Sequence, residues 1–163
     1  MADQKIAYAS SASATITLAS LASDANMLAG RASDVISNTT SLYTDYLLSA
    51  VITTAASGLP DGKSIYMYVY AQQSDSAYPA AITGSDADIT LNSAQVRDGG
   101  LVLASTVYTN DTGSTAYSFG AVSVASCFGG SVPARWGVLV LQNTGAALAS
   151  GTVTYQGIYS TVS

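Results

Sequence analysis

A strict alternation of two kinds of side chain constrains the fold more than any other feature of the sequence. It occurs in the segment SIYMYVYAQQ, residues 64–73, where aliphatic side chains alternate with Tyr66, Tyr68 and Tyr70. Neighbouring side chains of a β-strand point to opposite faces, so the segment predicts a strand with an aliphatic face and a tyrosine face. The aliphatic face is expected in a hydrophobic core, and what covers the tyrosines bears on function.

The rest of the chain also favours strands over helices. Ser, Thr, Val, Tyr and Gly are plentiful, and no long segment has a clean 3.6-residue period. An all-β fold is therefore predicted, a single-domain, jelly-roll-like β-sandwich of about eight strands, with one helical turn allowed at residues 123–128. Residues 74–92 form the longest irregular connection. The predicted strands are 14–18, 34–37, 43–54, 64–73, 100–108, 115–124, 136–143 and 152–162.

The N-terminal residues differ from the rest of the chain. Residues 1–13 are small and polar, with Ile6 and Tyr8 as their apolar members. Such a segment buries too little surface to offset its ordering entropy, so an extended N-terminal arm is predicted before a sandwich domain at 14–163. The arm is expected to become ordered against a neighbouring molecule.

Charge is unusually scarce in this chain. Charged residues make up 9% of the 163 residues, against about 25% in ordinary soluble domains. A weakly charged polar surface suits a protein packed against neighbours. The five basic residues are scattered, which argues against nucleic acid as a partner. No apolar stretch reaches the length of a membrane span, and the N-terminus does not resemble an export signal, so assembly in the cytoplasm is expected.

Residues suited to catalysis or metal binding are few. The sequence contains no His and no Glu, which excludes a Ser-His-Asp or Cys-His site within one chain. Asp45 lies in an apolar run and is interpreted as an outward-facing strand residue. Asp86 and Asp88 have a spacing that suits Ca²⁺, but their flanks supply no evident further ligands. Cys127 is interpreted as a buried small hydrophobe. No catalytic residue, cofactor or metal site is predicted.

Three interpretations of the tyrosine row remain open. The rings can belong to a core, to a subunit interface, where Tyr is enriched, or to a platform for sugars. Residues 72–75 supply amides and a carboxylate that keep the sugar interpretation open. The candidate interface residues are Ile6, Tyr8, Tyr66, Tyr68 and Tyr70.

Two long stretches carry a resemblance to a known family. Residues 18–54 and 119–151 contain the motifs LAGR, NTT-LY-DYL, SVAS-FGG, P-RWG and QNTG, with IYMYVYA and GSDA between them. In this combination the chain resembles a family of small structural proteins of tailed bacteriophages. The resemblance covers most of the chain and implies a virion component built on a β-sandwich. It assigns no role to individual residues.

Our leading interpretation is a non-enzymatic capsid decoration, or cement, protein. Its implied partners are the major capsid protein and copies of itself, with a trimer favoured, and its implied location is the virion, assembled in the host cytoplasm. Neither nucleic acid nor membrane is an expected partner. A tail or neck component is the alternative within the same class. A carbohydrate-binding module for host-surface adhesion, with a glycan as partner, is the alternative from another class.

Overall fold

The computed structural model describes residues 3–55, 59–60, 62–110 and 112–162. Its described strands form two antiparallel sheets, which confirms the predicted all-β sandwich. The strands are β1 Gln4–Tyr8, β2 Ala12–Ser13, β3 Ala29–Ala32, β4 Ile36–Ser37, β5 Asp45–Thr54, β6 Lys63–Ala71, β7 Ala87–Thr90, β8 Val102–Thr109, β9 Ala116–Ser123, β10 Arg135–Gln142 and β11 Leu148–Val162. Two short helices accompany them, α1 Ala94–Gly100 and α2 Val124–Cys127.

The strands divide between sheets that we call A and B. Sheet A has the order β1-β11-β5-β9, with β2 also pairing with β11. Sheet B has the order β7-β3-β10-β6-β8, with β4 also pairing with β10. The long strands were predicted, whereas the short strands β3 and β7 and the helix α1 were not. The predicted strand at 14–18 is wrong, because β2 ends at residue 13 and these residues continue without regular structure.

The main core lies between the two sheets. Alternate residues of β5 point into it, so that Leu48 and Ile52 have no exposed surface. The aliphatic face of β6 lies opposite, and β10 contributes Trp136, Val138 and Val140, all of them fully buried. Burial of these side chains removes apolar surface from water, which stabilises the packing of one sheet against the other.

A second core lies on the other side of sheet B. Here β6 and β10 turn Tyr68, Tyr70 and Leu139 outward, and all three are buried. The connection at residues 74–101, which includes β7 and α1, folds back over this face. Its buried apolar side chains pack with those of the sheet, and they are Ile82, Ile89, Leu91 and Leu101.

The N-terminal segment belongs to sheet A in the folded chain. Strand β1 pairs antiparallel with β11, from Gln4 opposite Val162 to Tyr8 opposite Ile158. Strand β11 extends beyond the start of β5, and β1 pairs with this overhang. Unpaired backbone groups are costly, so the overhang provides the segment with partners within the chain. Residues 4–8 are therefore an edge strand rather than the free arm that was predicted.

A candidate interaction surface on the outer face of sheet A

The outer face of sheet A consists of the residues that β1, β5 and β11 turn away from the main core. The register of the three strands aligns these residues across the sheet, and none of them is buried. We call this surface the open face. Its residues are Gln4, Ile6, Tyr8, Asp45, Leu47, Ser49, Val51, Thr53, Ser150, Thr152, Thr154, Gln156, Ile158, Ser160 and Val162.

The open face has one charged side chain, that of Asp45, which lies at the start of β5 directly opposite Ile158. The oxygens of its carboxylate are already hydrogen-bonded. One oxygen accepts from the backbone N–H groups of Tyr46 (2.7 Å) and Ala125 (2.8 Å), and the other accepts from the hydroxyl of Ser123 (2.6 Å). The structure thus assigns Asp45 to anchoring α2 at the edge of β5. Apart from this carboxylate, the open face offers aliphatic, hydroxyl and amide groups for contact.

Large apolar side chains concentrate at the β1 end of this face. Ile6 is 71% exposed, Tyr8 56% and Val162 74%. Ile158 lies directly opposite Tyr8 across the β1–β11 pair, so the four side chains form one patch. Single exposed hydrophobic residues are ordinary, whereas a contiguous group is typical of an interaction site.

A cleft lies beside this patch, between the β11 overhang and the segment that precedes β5. It has a volume of about 730 Å³ and contains the rings of Tyr43 and Tyr159, whose centroids are 5.8 Å apart. Gly157 allows the Tyr43 ring to lie directly against the backbone of β11, because a Cβ at that position would collide with the ring. The remaining lining residues are uncharged, and they are Ala9, Ser10, Ser41, Leu42, Thr44 and Ser160.

The structure places the candidate interface residues in two different environments. Ile6 and Tyr8 lie together on the open face, and no described segment of the chain covers them. Tyr68 and Tyr70 are 6% and 0% exposed because residues 74–101 cover them. Tyr66 is half-buried and stacks on Tyr68, with ring centroids 6.3 Å apart. For Tyr68 and Tyr70, the interface and sugar-platform interpretations are wrong, and the core interpretation is right.

Burial favours the protonated form of the buried tyrosine hydroxyls. Burial raises the pKa of Tyr70 to about 12, and its hydroxyl donates to the carbonyl of Ser33 (2.7 Å). Burial likewise raises the pKa of Tyr46 to about 12. Burial also raises the pKa of the Cys127 thiol, which keeps it in the protonated and less reactive form.

Asp86 and Asp88 both form ion pairs with Arg31. The guanidinium of Arg31 lies 2.6 Å from one carboxylate oxygen of Asp86 and 3.0 Å from one of Asp88. Asp86 also accepts from the backbone N–H and the hydroxyl of Thr17. The hydrogen bond from Arg31 is the main reason that the pKa of Asp86 falls to about 2. The cluster ties the segment before β3 to the edge of sheet B, next to a smaller cleft of about 310 Å³.

No group of three or more His, Cys, Asp or Glu in the described part of the chain is placed to hold a metal ion. No helix among the described residues is long and apolar enough to span a membrane.

Comparisons with known proteins provide little further information. No protein-family model matches the chain, and no curated protein sequence matches it. Among solved structures, a chain of Desmodium yellow mottle tymovirus is similar over 100% of this chain and 89% of its own length, with 14% identity and a TM-score of 0.30. A similarity of this size carries no information about function.

Sequence reasoning missed several members of the open face. The polar–apolar alternation TVTYQ at the start of β11 was a usable signal, because it separates outward Thr152 and Thr154 from inward Val153 and Tyr155. No comparable signal identified Val162, since its place beside Ile6 depends on the pairing of the two ends of the chain.

Proposed function

We propose that this chain is a non-enzymatic structural protein of a virus particle, and within that class a decoration protein of a tailed-phage capsid. The observation that carries the proposal is the open face of sheet A, which has Ile6, Tyr8 and Val162 exposed at one end. Its one charged side chain, Asp45, is already hydrogen-bonded within the chain. A monomer that remains dissolved alone usually protects such a face with several charges. Burial against a neighbouring protein is a sufficient reason to keep it poor in charge.

The mechanism that we propose is stabilisation by binding. A protein that binds the assembled shell and not its free subunits shifts the equilibrium towards the shell by mass action. The main core supports β5 and β11, and their open-face residues lie in register with one another. A preformed face binds without an ordering cost, which favours tight attachment for a given buried area.

The phage assignment is supported by the resemblance of the sequence motifs and by the low charge of the chain. The proposed partners are the major capsid protein and further copies of this chain, and the proposed location is the virion. A tail or neck component would use the same open face for another neighbour. Copy number separates these cases, because a shell protein is present in far more copies than a neck protein.

A carbohydrate-binding module is the second candidate. The observation that favours it is the uncharged cleft lined by the half-buried rings of Tyr43 and Tyr159 and by surrounding hydroxyl groups. Aromatic rings can stack on sugar faces, and hydroxyls can bond to sugar hydroxyls. The cleft lacks the carboxylates that commonly accompany such sites, and so we rank this function second.

Reconstitution on particles tests the proposal. Purified chain is added to phage heads that lack it, and bound copies are counted after sedimentation by quantitative mass spectrometry. A decoration protein is expected to bind in numbers proportional to the capsid subunits and to raise the temperature at which the heads open. Binding to isolated tails but not to heads would support the tail alternative. Binding to neither, together with capture on a glycan array, would support the carbohydrate alternative.

A further inference from the structure

The register of β1 against β11 decides which backbone groups remain at the outer edge of sheet A. Ala9 donates its N–H to the carbonyl of Gly157 (2.9 Å), which makes these two residues a hydrogen-bonded pair in the register of β1. Such pairs alternate with non-hydrogen-bonded pairs along an antiparallel ladder. The N–H and C=O groups of Gln4, Ile6 and Tyr8 therefore point away from β11. No described strand pairs with them on that side.

This edge lacks the features that usually prevent strands from pairing with other molecules. Natural edge strands are shortened, charged, bulged or interrupted by proline. Strand β7, an edge of sheet B, follows this rule, because it has four residues and includes the exposed carboxylate of Asp88. Strand β1 has five residues, no proline and no bulge, and its charged residue, Lys5, points to the face opposite Ile6. Its outer-face side chains Ile6 and Tyr8 are apolar and exposed.

We infer that a second copy of this chain pairs with the free edge of β1, antiparallel and about a twofold axis at Ile6. In this register, Ile6 lies opposite Ile6 of the second copy, and Gln4 lies opposite its Tyr8. Gln4, Ile6 and Tyr8 direct their backbone groups to the free edge. In this register the same three residues form the hydrogen-bonded pairs across the axis. Lys5 lies opposite Ala7 of the second copy, so no like charges are directly opposed.

The self-complementary register favours a second copy over a strand of another protein. A twofold interface requires one patch to match itself, and the edge of β1 does so in backbone polarity, in side-chain pairs and in charge. The result is a single continuous sheet that joins sheet A of both copies and aligns their open faces. The inference goes beyond the proposed function, because it concerns the contact between copies rather than the contact with a shell.

The contact is expected to be weak between free molecules. A five-residue strand edge buries less area than a stable complex usually needs. Pairing therefore becomes prominent at high protein concentration, or where other contacts bring copies together and raise their effective concentration.

Cysteine cross-linking tests the register. Cys127 is first changed to Ser, so that each variant contains one thiol. Residues of a hydrogen-bonded antiparallel pair have Cα atoms about 5.5 Å apart, which suits a disulfide. Ile6→Cys is expected to form a disulfide dimer under mild oxidation on the order of tenfold faster than Val162→Cys, which is equally exposed on the same face but one strand away.

Mixing two variants makes the test specific for the proposed alignment. Gln4→Cys and Tyr8→Cys are expected to cross-link to each other on the order of tenfold faster than either cross-links to itself. Equal rates for all variants would indicate random collision and would overturn the inference. Preferential dimers of Gln4→Cys alone would also overturn it, because they require a different register.

A pair of proline variants separates pairing from folding. Ile6→Pro removes an N–H that points to the free edge, and it is expected to leave the melting temperature nearly unchanged while abolishing the cross-link between Gln4→Cys and Tyr8→Cys. Ala7→Pro removes an N–H that bonds to β11, and it is expected to detach β1 and lower the melting temperature. Unchanged cross-linking in the Ile6→Pro background would show that the edge is not the contact.

Discussion

Sheet B turns Tyr68, Tyr70 and Leu139 outward, and residues 74–101 fold back and bury them. Sheet A turns Ile6 and Val51 outward, and both remain exposed to solvent. The two faces are built on strands with the same antiparallel pairing. What differs is the size of the outward side chains and the presence of a long connection that returns across them.

The difference shows which outer face the chain buries with its own residues and which it leaves exposed. A face of large aromatic and aliphatic side chains would form a large exposed patch, and covering it contributes to folding. The open face has Ser, Thr and Gln interspersed with smaller apolar groups, so exposing it to water costs less free energy. One outer face is therefore part of the fold, and the other is available to neighbours.

Truncating a ring in the covered face is expected to have the largest effect. Tyr70→Ala removes a fully buried ring and leaves the carbonyl of Ser33 without its hydroxyl donor. We expect a loss of about 4 kcal/mol in the free energy of unfolding, measured by urea denaturation. The matched change in the open face, Tyr8→Ala, is expected to cost less than about 0.5 kcal/mol. Equal losses would show that the two faces do not differ.

Overpacking the covered face is expected to have the next largest effect. Gly137 lies opposite Tyr70, and a Cβ at this position would collide with the tyrosine ring. Gly137→Ala is therefore expected to cost about 1–3 kcal/mol in thermal or urea unfolding. The control is Gly120→Ala in β9, where an added Cβ meets nothing within 4 Å. A destabilised control with an unaffected Gly137→Ala would contradict the packing described here.

Acid is expected to weaken the attachment of the edge of sheet B. The pKa of Asp86 is about 2 in the folded chain, against an ordinary value of 3.8, chiefly because of the hydrogen bond from Arg31. A lowered folded-state pKa stabilises the fold above the ordinary value, and the contribution disappears as the pH falls from 3.8 towards 2. Asp86→Asn should cost about 1–2 kcal/mol at neutral pH and flatten this part of the stability profile. If stability depends on pH in Asp86→Asn as it does in the wild type, Asp86 is not the source of that dependence.

A charge on the open face is expected to have the smallest effect on folding and a clear effect on binding. Val51 is 49% exposed near the middle of the face, so Val51→Lys should change the unfolding free energy by less than about 0.5 kcal/mol. It should reduce attachment to particles, because an unpaired charge would be buried there. Val96→Lys, on the exposed side of α1, is the control and should bind normally. Equal binding by both variants would show that the contact with the particle lies outside the open face.

Local patterns were sufficient for the long strands and for one helical turn. Alternation predicted β6, and turn signals bounded β8 to β11, because strand formation in these segments depends on residues close in sequence. The short strands β3 and β7 were missed because their hydrogen bonds are made to segments far along the chain. The candidate site was predicted only in part, since Ile6 and Tyr8 are exposed whereas Tyr68 and Tyr70 are buried.

The sequence by itself determined that β6 has two apolar faces and that the chain forms an all-β sandwich. It also determined the lack of charge that leaves a sheet face suited to contact with neighbours. Only the tertiary structure decided which face the chain covers, because this depends on the return of residues 74–101 over Tyr70. Likewise, only the pairing of β1 with β11 decided that the N-terminal residues form an edge. Alternation is encoded between adjacent residues, whereas cover and pairing depend on contacts between distant ones.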